Sequence, residues 1–302
     1  MLNTKRRLSS QQIAPYVFIS PFVISFLVFG LYPMCYSITM SFWKWTAGGP
    51  QEFRGFGNFI KLLTIDPYFK RSLFNSFMLM IFGSGLQHLF AIPLAIVLND
   101  KSVKGKDFFK LMFFLPYITS VVSIVLIFSQ LFDENYGWLN YIVVHFFNAE
   151  KIRWLTESIP IKASISIMLN WQFIGWNTLI YLAGLQSIDA SLYEAAEIDG
   201  ANKVQQAFQI TLPLLRPVVF FTMTLSIIGG FQIFEQPFVL LGGYSQMGGP
   251  GNAGLTSAFY LMATGFDYGR YGKASAIAWL MFVVVITMTL IHKKIVNKDE
   301  KL

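Results

Sequence analysis

The sequence predicts an all-α integral membrane protein that crosses the membrane six times. Of its 302 residues, 54% are hydrophobic and only 13% are charged, and the mean hydropathy is +0.52. Because a soluble domain carries about 25% charged residues, this chain suits a lipid solvent. A membrane-spanning helix needs about 20 mainly apolar residues. Runs of that kind lie at 14–39, 74–98, 108–131, 161–185, 214–236 and 273–295.

The basic residues set the expected orientation. Six spans place both termini on one side of the membrane, and Lys and Arg are enriched on the cytoplasmic side. They cluster before the first span, between the second and third, and after the last, so we expect both termini in the cytoplasm. The loop 40–73 weakens this pattern without reversing it. The three clusters are Lys5, Arg6 and Arg7; Lys101, Lys104, Lys106 and Lys110; and Lys293, Lys294, Lys298 and Lys301. Loop 40–73 carries Lys44, Arg54, Lys61, Lys70 and Arg71 against Glu52 and Asp66.

The first span is expected to remain in the protein. Its apolar run is far longer than the roughly 7–15 residues of a signal-peptide core, and no A-x-A-like cleavage site follows it. We therefore expect a cytoplasmic segment at 1–13, one membrane domain at 14–295 and a cytoplasmic tail at 296–302. The single cysteine, Cys35, lies inside an apolar run and excludes a disulfide framework.

The loop between the fourth and fifth spans has a helical pattern of its own. Ser187 or Asp189 can cap a short helix that runs to about Asp199, and Gly200 supplies a turn. Asn202 can cap a second helix, which we expect to end at Pro213.

This loop offers a surface for a protein partner. Val204, Ala207 and Phe208 form an apolar stripe at helical spacing. A helix-turn-helix could bind DNA, but acidic side chains outnumber the one lysine and would repel phosphate. Docking into a protein groove is the remaining interpretation. The charged residues are Asp189, Glu194, Glu197 and Asp199 against Lys203.

Several motifs resemble one family. The loop resembles the EAA loop of binding-protein-dependent ABC importer permeases, and in particular their carbohydrate branch, which includes maltose, glycerol-phosphate and multiple-sugar importers. The matching residues are Glu194-Ala195-Ala196, Asp199-Gly200-Ala201, Phe208, Ile210, Leu212-Pro213 and Pro217. "FLPYITSVVSIVLIFSQLFDENYGWLN" at 114–140 and "GGFQIFEQPFVLLGG" at 229–243 are similar to the same branch. The expanded outer loop "LLGGYSQMGGPGN" departs from the family's short Gly-Gly-Pro turn.

The resemblance implies a type I ABC importer permease fold and a set of partners. These are a second, homologous permease, two ATP-binding cassette subunits, an extracytoplasmic solute-binding protein and membrane lipid, with no nucleic acid. The loop 186–217 would be the coupling loop that docks on an ATP-binding subunit. The residues expected to make this contact are Glu194, Ala195, Ala196, Asp199, Gly200, Ala201, Phe208 and Pro213.

No cofactor site is expected in this chain. "GPGNAG" at 249–254 fits a dinucleotide fingerprint but lacks a βαβ context. "RYGKAS" at 270–275 resembles a phosphate loop, yet Ala274 replaces the Ser or Thr that binds magnesium. ATP and Mg²⁺ are therefore expected on the partner subunits, and the chain is not an enzyme. The three histidines, His88, His145 and His292, match no metal spacing, and His88 is interpreted as a helix contact.

The substrate path is predicted from polar and aromatic residues in the fourth and fifth spans. Amides beside indole rings suit sugars, because hydroxyls need hydrogen-bond partners and C–H faces stack on aromatic rings. Interfacial tryptophans and interhelical amide contacts would explain the same residues without a ligand. The candidates for one shared cavity are Asn170, Trp176, Asn177, Gln232 and Glu235.

The sequence thus favours a multi-pass permease in the inner membrane of a bacterium that imports a carbohydrate. A polyol or glycerol phosphate remains an alternative substrate. A secondary transporter would need internal repeats and midplane ion ligands, which the sequence does not show. A membrane scaffold without transport activity is a further alternative, and the EAA-like loop disfavours both.

Overall fold

The computed structural model describes residues 10–100 and 102–299, and the side chains within 14–100 and 102–296. Lys5, Arg6, Arg7, Lys101 and Lys301, which contribute to the predicted orientation, lie outside the described residues.

Within residues 10–100 and 102–147, the first half of the chain forms eight helices and one hairpin. A π-helical turn at Leu27–Leu31 joins α1 to α2, and a second one at Met80–Gly85 lies between α4 and α5. The elements are α1 Ser10–Phe26, α2 Tyr32–Ser41, β1 Trp43–Thr46, β2 Gly49–Phe53, α3 Gly57–Thr64, α4 Pro67–Leu79, α5 Gln87–Asn99, α6 Lys106–Ile118, α7 Val121–Leu131 and α8 Trp138–Phe147.

The second half is helical wherever it is regular. Further π-helical turns at Ala207–Thr211 and Ala263–Asp267 follow α11 and α14, and 3₁₀ turns lie at Gly243–Gln246 and Pro250–Asn252. The helices are α9 Ser158–Gln186, α10 Ala190–Ile198, α11 Lys203–Gln206, α12 Leu212–Phe231, α13 Glu235–Leu240, α14 Ser257–Met262 and α15 Tyr271–Asp299.

All six predicted spans fall on helices, but the third is bent between α6 and α7, and the fifth is broken between α12 and α13. Within the described residues, four helical stretches are long and apolar enough to cross a membrane. The predicted third span consists of α6 and α7, which meet at an angle of 96°. A single straight helix over 108–131 is therefore wrong. The predicted fourth span, α9, is not one of these four stretches; it has 29 residues and carries several polar side chains. The four stretches are Ala14–Ser41, Pro67–Asn99, Lys203–Leu240 and Tyr271–Val296.

A small antiparallel hairpin, β1 and β2, accompanies the helices and is not predicted from the sequence. Trp43 pairs with Phe53 and Thr46 with Gly49, with one irregularity beside Lys44. Trp43–Thr46 alternates apolar and polar residues, but strands of only 4 and 5 residues are too short for this period to mark them in the sequence.

Close backbone contact fixes the helices around α9. Gly175 lies against α6, where a Cβ atom at this position would overlap the carbonyl of Phe113. The bundle encloses an apolar core that includes Leu79, Ile124 and Ile165. Such contact is typical of membrane helices, in which small residues allow close packing.

The outside of the bundle is apolar. Phe18 and Phe29 on the first helical stretch are 84% and 81% exposed in the isolated chain. Side chains of this kind are stable when lipid or another membrane protein covers them.

Candidate functional site

A cavity of about 450 Å³ lies where α9 faces the end of α12 and the bend between α6 and α7. Its wall combines amide, hydroxyl and aromatic side chains with one carboxylate. The polar members are Ser84, Gln87, Gln172, Asn177, Ser226, Gln232, Glu235 and Gln236, and the aromatic members are Tyr117, Phe173, Trp176 and Phe234. We call this space the central cavity.

Hydrogen bonds within and between helices hold several of these amides in place. Asn177 donates to the Gln87 side chain, and Gln87 donates to the carbonyl of Gly83 at 3.0 Å. Gln236 donates to Gln172 at 3.1 Å. A buried amide without a partner costs free energy, so these pairs keep the wall polar without destabilising it.

The aromatic side of the central cavity is a stack built by α6 and α9. The rings of Tyr117 and Trp176 lie 4.5 Å apart at an interplanar angle of 16°. Phe173 meets Tyr117 edge to face at 5.7 Å. Tyr117 therefore covers one face of the Trp176 ring, and Trp176 remains partly exposed in the cavity wall.

The helix break at residues 232–234 opens the fifth span at the central cavity. Helix α12 ends at Phe231 and α13 begins at Glu235. The side chain of Thr256 donates a hydrogen bond to the freed carbonyl of Ile233. Irregular backbone at membrane depth is tolerated where protein buries it or a polar cavity adjoins it, and both conditions hold here. Gln232 and Glu235 are exposed on either side of this break.

Four of the five predicted path residues line the central cavity, and Asn170 does not. Trp176, Asn177, Gln232 and Glu235 are part of its wall. The amide of Asn170 donates to the carbonyls of Phe82 and Ser166, both at 2.7 Å. It joins α9 to the π-helical turn at Met80–Gly85, at the edge of the stripe that faces the cavity. The expectation of a cavity shared by all five is therefore wrong for Asn170.

Other wall residues, among them Gln87, Tyr117 and Gln236, are absent from the predicted path. They lie on three different helices, and Gln236 directly follows the predicted Glu235. Their convergence depends on long-range packing, for which the sequence holds no local signal. Gln172 is visible beside Asn170 in "NWQFIGWN".

The predicted coupling loop, residues 186–217, folds largely as its caps predict. Asp189 accepts a hydrogen bond from the backbone of Ser191 at 2.9 Å and begins α10. Asn202 and Gln205 form a reciprocal capping box at the start of α11. Between them Gly200 adopts φ +81°, the left-handed conformation that favours glycine.

One expectation for this loop is wrong, because Pro213 does not end the second helix. The chain widens into a π-helical turn at Ala207–Thr211, in which the N–H of Leu212 donates to the carbonyl of Ala207. Helix α12 then continues with Pro213 in its first turn, where the missing N–H costs little.

The coupling loop presents an exposed surface of mixed character. Glu194, Ala195, Asp199, Gly200, Phe208 and Pro213 are exposed, and Ala196 and Ala201 are half-buried. Ile198, Val204 and Phe208 are 88%, 65% and 66% exposed. Large apolar side chains at a rigid helical corner are typical of a surface that another protein covers.

Two side-chain contacts stiffen the corner. Lys203 forms an ion pair with Glu197 at 2.7 Å across the turn, and this hydrogen bond lowers the pKa of the Glu197 carboxyl. Tyr193 and Thr211 are hydrogen-bonded at 3.0 Å, which holds α10 against the π-helical turn.

A buried polar chain lies between the coupling loop and the central cavity. Tyr181 on α9 is hydrogen-bonded to His88 at 2.8 Å and to Thr222 at 2.6 Å. His88 also contacts Ser226, a wall residue of the cavity, at 2.9 Å. The interpretation of His88 as a helix contact is confirmed, and it joins three helices.

Comparison with known proteins places the chain in a family. Residues 89–298 match the model of the binding-protein-dependent transport system inner membrane component. The chain belongs to this family and is a membrane-embedded component of a transport system.

Its relatives match over nearly their whole length. The chain is 36% identical to the arabinooligosaccharides transport system permease protein AraP of Halalkalibacterium halodurans over 93% of this chain and 87% of that one. It is 37% identical to AraP of Bacillus subtilis, over 95% and 89%. It is 30% identical to the lactose transport system permease protein LacF of Rhizobium radiobacter, over 92% of each chain.

A solved structure shares the fold. A chain of a bacterial ABC transporter involved in the import of the acidic polysaccharide alginate superposes with a TM-score of 0.77. The match covers 95% of this chain and 96% of that one at 24% identity. The type I ABC importer permease fold expected from the sequence is confirmed.

Two neighbouring tryptophans on α9 allow the central cavity to be tested. Trp171 lies outside the wall and contacts Phe128, whereas Trp176 lies in it. We expect Trp176→Ala to raise the half-saturation of uptake about threefold to tenfold, because an aromatic contact contributes about 0.5–1.5 kcal/mol. Trp171→Ala should leave it within about twofold. Uptake kinetics at matched membrane expression make the comparison, and equal effects of the two variants would contradict a ligand in the cavity.

Proposed function

We propose that the chain is one of two permease subunits of an ATP-driven importer and that its cargo is a carbohydrate. The central cavity carries the proposal. It places fixed amides, hydroxyls and a stacked aromatic wall inside a membrane bundle, as recognition of a polyhydroxylated ligand requires. Relatives named for arabinooligosaccharide and lactose transport support the same cargo class.

The central cavity favours a neutral cargo over glycerol phosphate. Among the described residues that line it, none is Lys or Arg, and Glu235 is its only carboxylate. A phosphate would need cationic or strong N–H donors at this depth. The chain would supply half of the path, and the second permease would close the other side.

The coupling loop would transmit the work of ATP-binding subunits on the cytoplasmic side. Its exposed Ile198, Val204 and Phe208 would insert into a groove of such a subunit. Both termini would lie in the cytoplasm, and an extracytoplasmic binding protein would deliver the sugar to the opposite face. ATP and Mg²⁺ would bind to the partner subunits and not to this chain.

Reconstitution tests this division of labour. The purified chain alone in liposomes should neither hydrolyse ATP nor take up sugar. The assembled complex with its binding protein should do both, over a panel of neutral oligosaccharides. ATP hydrolysis by the isolated chain would contradict the assignment, provided that a mock preparation purified in the same way without this chain shows no ATPase activity. Uptake by the chain alone under an ion gradient would instead indicate a secondary transporter.

A further inference from the structure

A second and larger cavity, of about 940 Å³, lies beside the hairpin, away from the coupling loop. Its walls come from the hairpin, α3, the starts of α4 and α15, and the loop after α13. Five cationic side chains and one carboxylate line it. These are Lys44, Arg54, Lys61, Arg270 and Lys273, with Asp66. We call it the basic cavity.

Two of the cations are neutralised within the protein. Lys273 forms an ion pair with Asp66 at 2.6 Å and donates to Tyr260 at 2.7 Å. Burial acts to raise the pKa of Asp66, but hydrogen bonds from Lys273, Phe69 and Tyr260 outweigh it and hold this pKa below its usual range. Arg54 pairs with Glu52 at 3.2 Å.

Three cations remain. Among the described residues, no carboxylate lies within 4.0 Å of Lys44, Lys61 or Arg270, and all three are exposed. The guanidinium of Arg270 lies 5.8 Å from the ring centre of Tyr268, a cation–π contact that orients it. Three of the five basic residues of loop 40–73, Lys44, Arg54 and Lys61, thus line one concave space.

The frame of the basic cavity is fixed. Asn58 donates to the carbonyls of Ser41 and Trp43 at 2.8 and 3.0 Å, which holds α3 against the hairpin. At Gly272 the helix α15 approaches the backbone of Trp43 so closely that a Cβ atom would overlap it. A preformed site loses little conformational freedom when a ligand binds.

The basic cavity suits an anionic ligand. The proposed cargo is neutral, because the residues that line the central cavity include no Lys or Arg. The ligand of the basic cavity is therefore not the cargo. Trp45, Tyr68 and Tyr268 also line the basic cavity. Tyrosine, tryptophan and arginine are the residues enriched at protein–protein contacts, where they act as anchors for partner side chains. A protein surface that carries carboxylates fits this combination.

We propose that the basic cavity receives an acidic surface segment of the extracytoplasmic binding protein. Aspartate or glutamate side chains of that segment would approach Lys44, Lys61 and Arg270. This inference rests on the proposed function, which supplies the binding protein and places the cavity on the outer face. Exposed charges of this kind mainly accelerate and orient association.

The test uses the assembled transporter in nanodiscs of phosphatidylcholine and the sugar-loaded binding protein. The triple variant Lys44→Gln, Lys61→Gln, Arg270→Gln should raise the dissociation constant of the binding protein about tenfold, chiefly through slower association, and reduce its salt dependence. ATPase stimulation at saturating binding protein should stay unchanged. The control triple Lys70→Gln, Arg71→Gln, Lys151→Gln removes the same charge from residues that do not line the cavity. It should change the dissociation constant less than twofold.

The outcomes separate this inference from the proposed function. If loaded binding protein fails to stimulate the unmodified transporter, the proposed function is wrong. If it stimulates normally and both triple variants bind it equally well, only the docking site is wrong. A variant that retains affinity for the binding protein but no longer responds to phosphatidylglycerol added to the nanodiscs would assign the cavity to a lipid headgroup and overturn the proposal.

Discussion

Replacement of Gly200 by valine should reduce sugar uptake, and the ATPase activity that loaded binding protein stimulates, by about tenfold to a hundredfold. Gly200 has φ +81°, and beyond its two chain neighbours no residue places an atom within 4 Å of the position of an added Cβ. The substitution therefore causes backbone strain without a steric clash. A β-branched residue in this conformation costs about 1–3 kcal/mol, which the exposed corner can relieve only by changing the angle between α10 and α11.

Asparagine at the same position provides the matched control. Asn tolerates the left-handed conformation, so Gly200→Asn should retain most of the coupling. Uptake and ATPase activity of both variants are measured at equal membrane levels, together with copurification of the ATP-binding subunit. Full coupling in the valine variant would show that the corner angle does not matter for docking. Equal loss in both variants would point to the side chain itself and not to the backbone.

Replacement of Gly175 by alanine should prevent stable assembly of the membrane bundle. The added Cβ would overlap the backbone of Phe113, so relief requires α6 and α9 to separate. Overpacking costs about 1–3 kcal/mol when side chains can move. Because a backbone atom is the obstacle here, we expect a loss of about 3 kcal/mol or more. The aromatic stack of Tyr117 and Trp176 would separate with the helices.

Gly229→Ala is the matched control for that variant. Gly229 lies inside α12, and apart from the adjacent turns of its own helix no atom lies within 4 Å of the position that an added Cβ would take. Alanine should be neutral or slightly stabilising there, since glycine in a helix costs about 0.5–1 kcal/mol relative to alanine. Thermal unfolding of the detergent-solubilised proteins, followed by size-exclusion chromatography, measures both. A Gly175→Ala protein as stable as its parent would refute the close contact between α6 and α9.

Local chemistry makes the coupling loop predictable. Its caps at Asp189 and Asn202, and its turn at Gly200, depend on residues at most three positions apart, which the sequence displays directly. The predicted helix end at Pro213 is wrong. A proline inside a helix lacks the N–H that donates to the preceding turn and usually ends the helix unless the backbone there is rearranged. The π-helical turn at Ala207–Thr211 provides that rearrangement, and no residue type announces it.

The membrane spans are predictable as apolar runs, but their interruptions are not. The bend between α6 and α7 lies at Thr119 and Ser120, neither of which is glycine or proline. Pro116 lies three residues earlier, inside α6. The direction of the chain after the bend depends on packing against α9 and α13, so hydropathy alone cannot detect it.

The residues of the central cavity are predictable where one helix supplies them and not where they converge from different helices. Phe173, Trp176 and Asn177 follow i, i+3, i+4 spacing on α9, so this helix brings their side chains to one face. Asn170 lies on the edge of that face, and the carbonyl of Phe82 on another helix decides where its amide points. A contact of this kind between distant segments has no signature in either segment alone.

The helix that begins at Lys203 and ends at Phe231 has a mechanical consequence. It connects the corner of the coupling loop to the break at the central cavity, and the hydrogen bond between Tyr181 and Thr222 holds it in between. At 1.5 Å per residue, Thr222 lies about 21 Å from Phe208 and about 15 Å from Gln232. If this helix moved as a rigid rod about Thr222, its two ends would move in opposite directions. A displacement of about 3 Å at the loop would swing the rim of the cavity by about 2 Å in the opposite direction, without any change of helical structure.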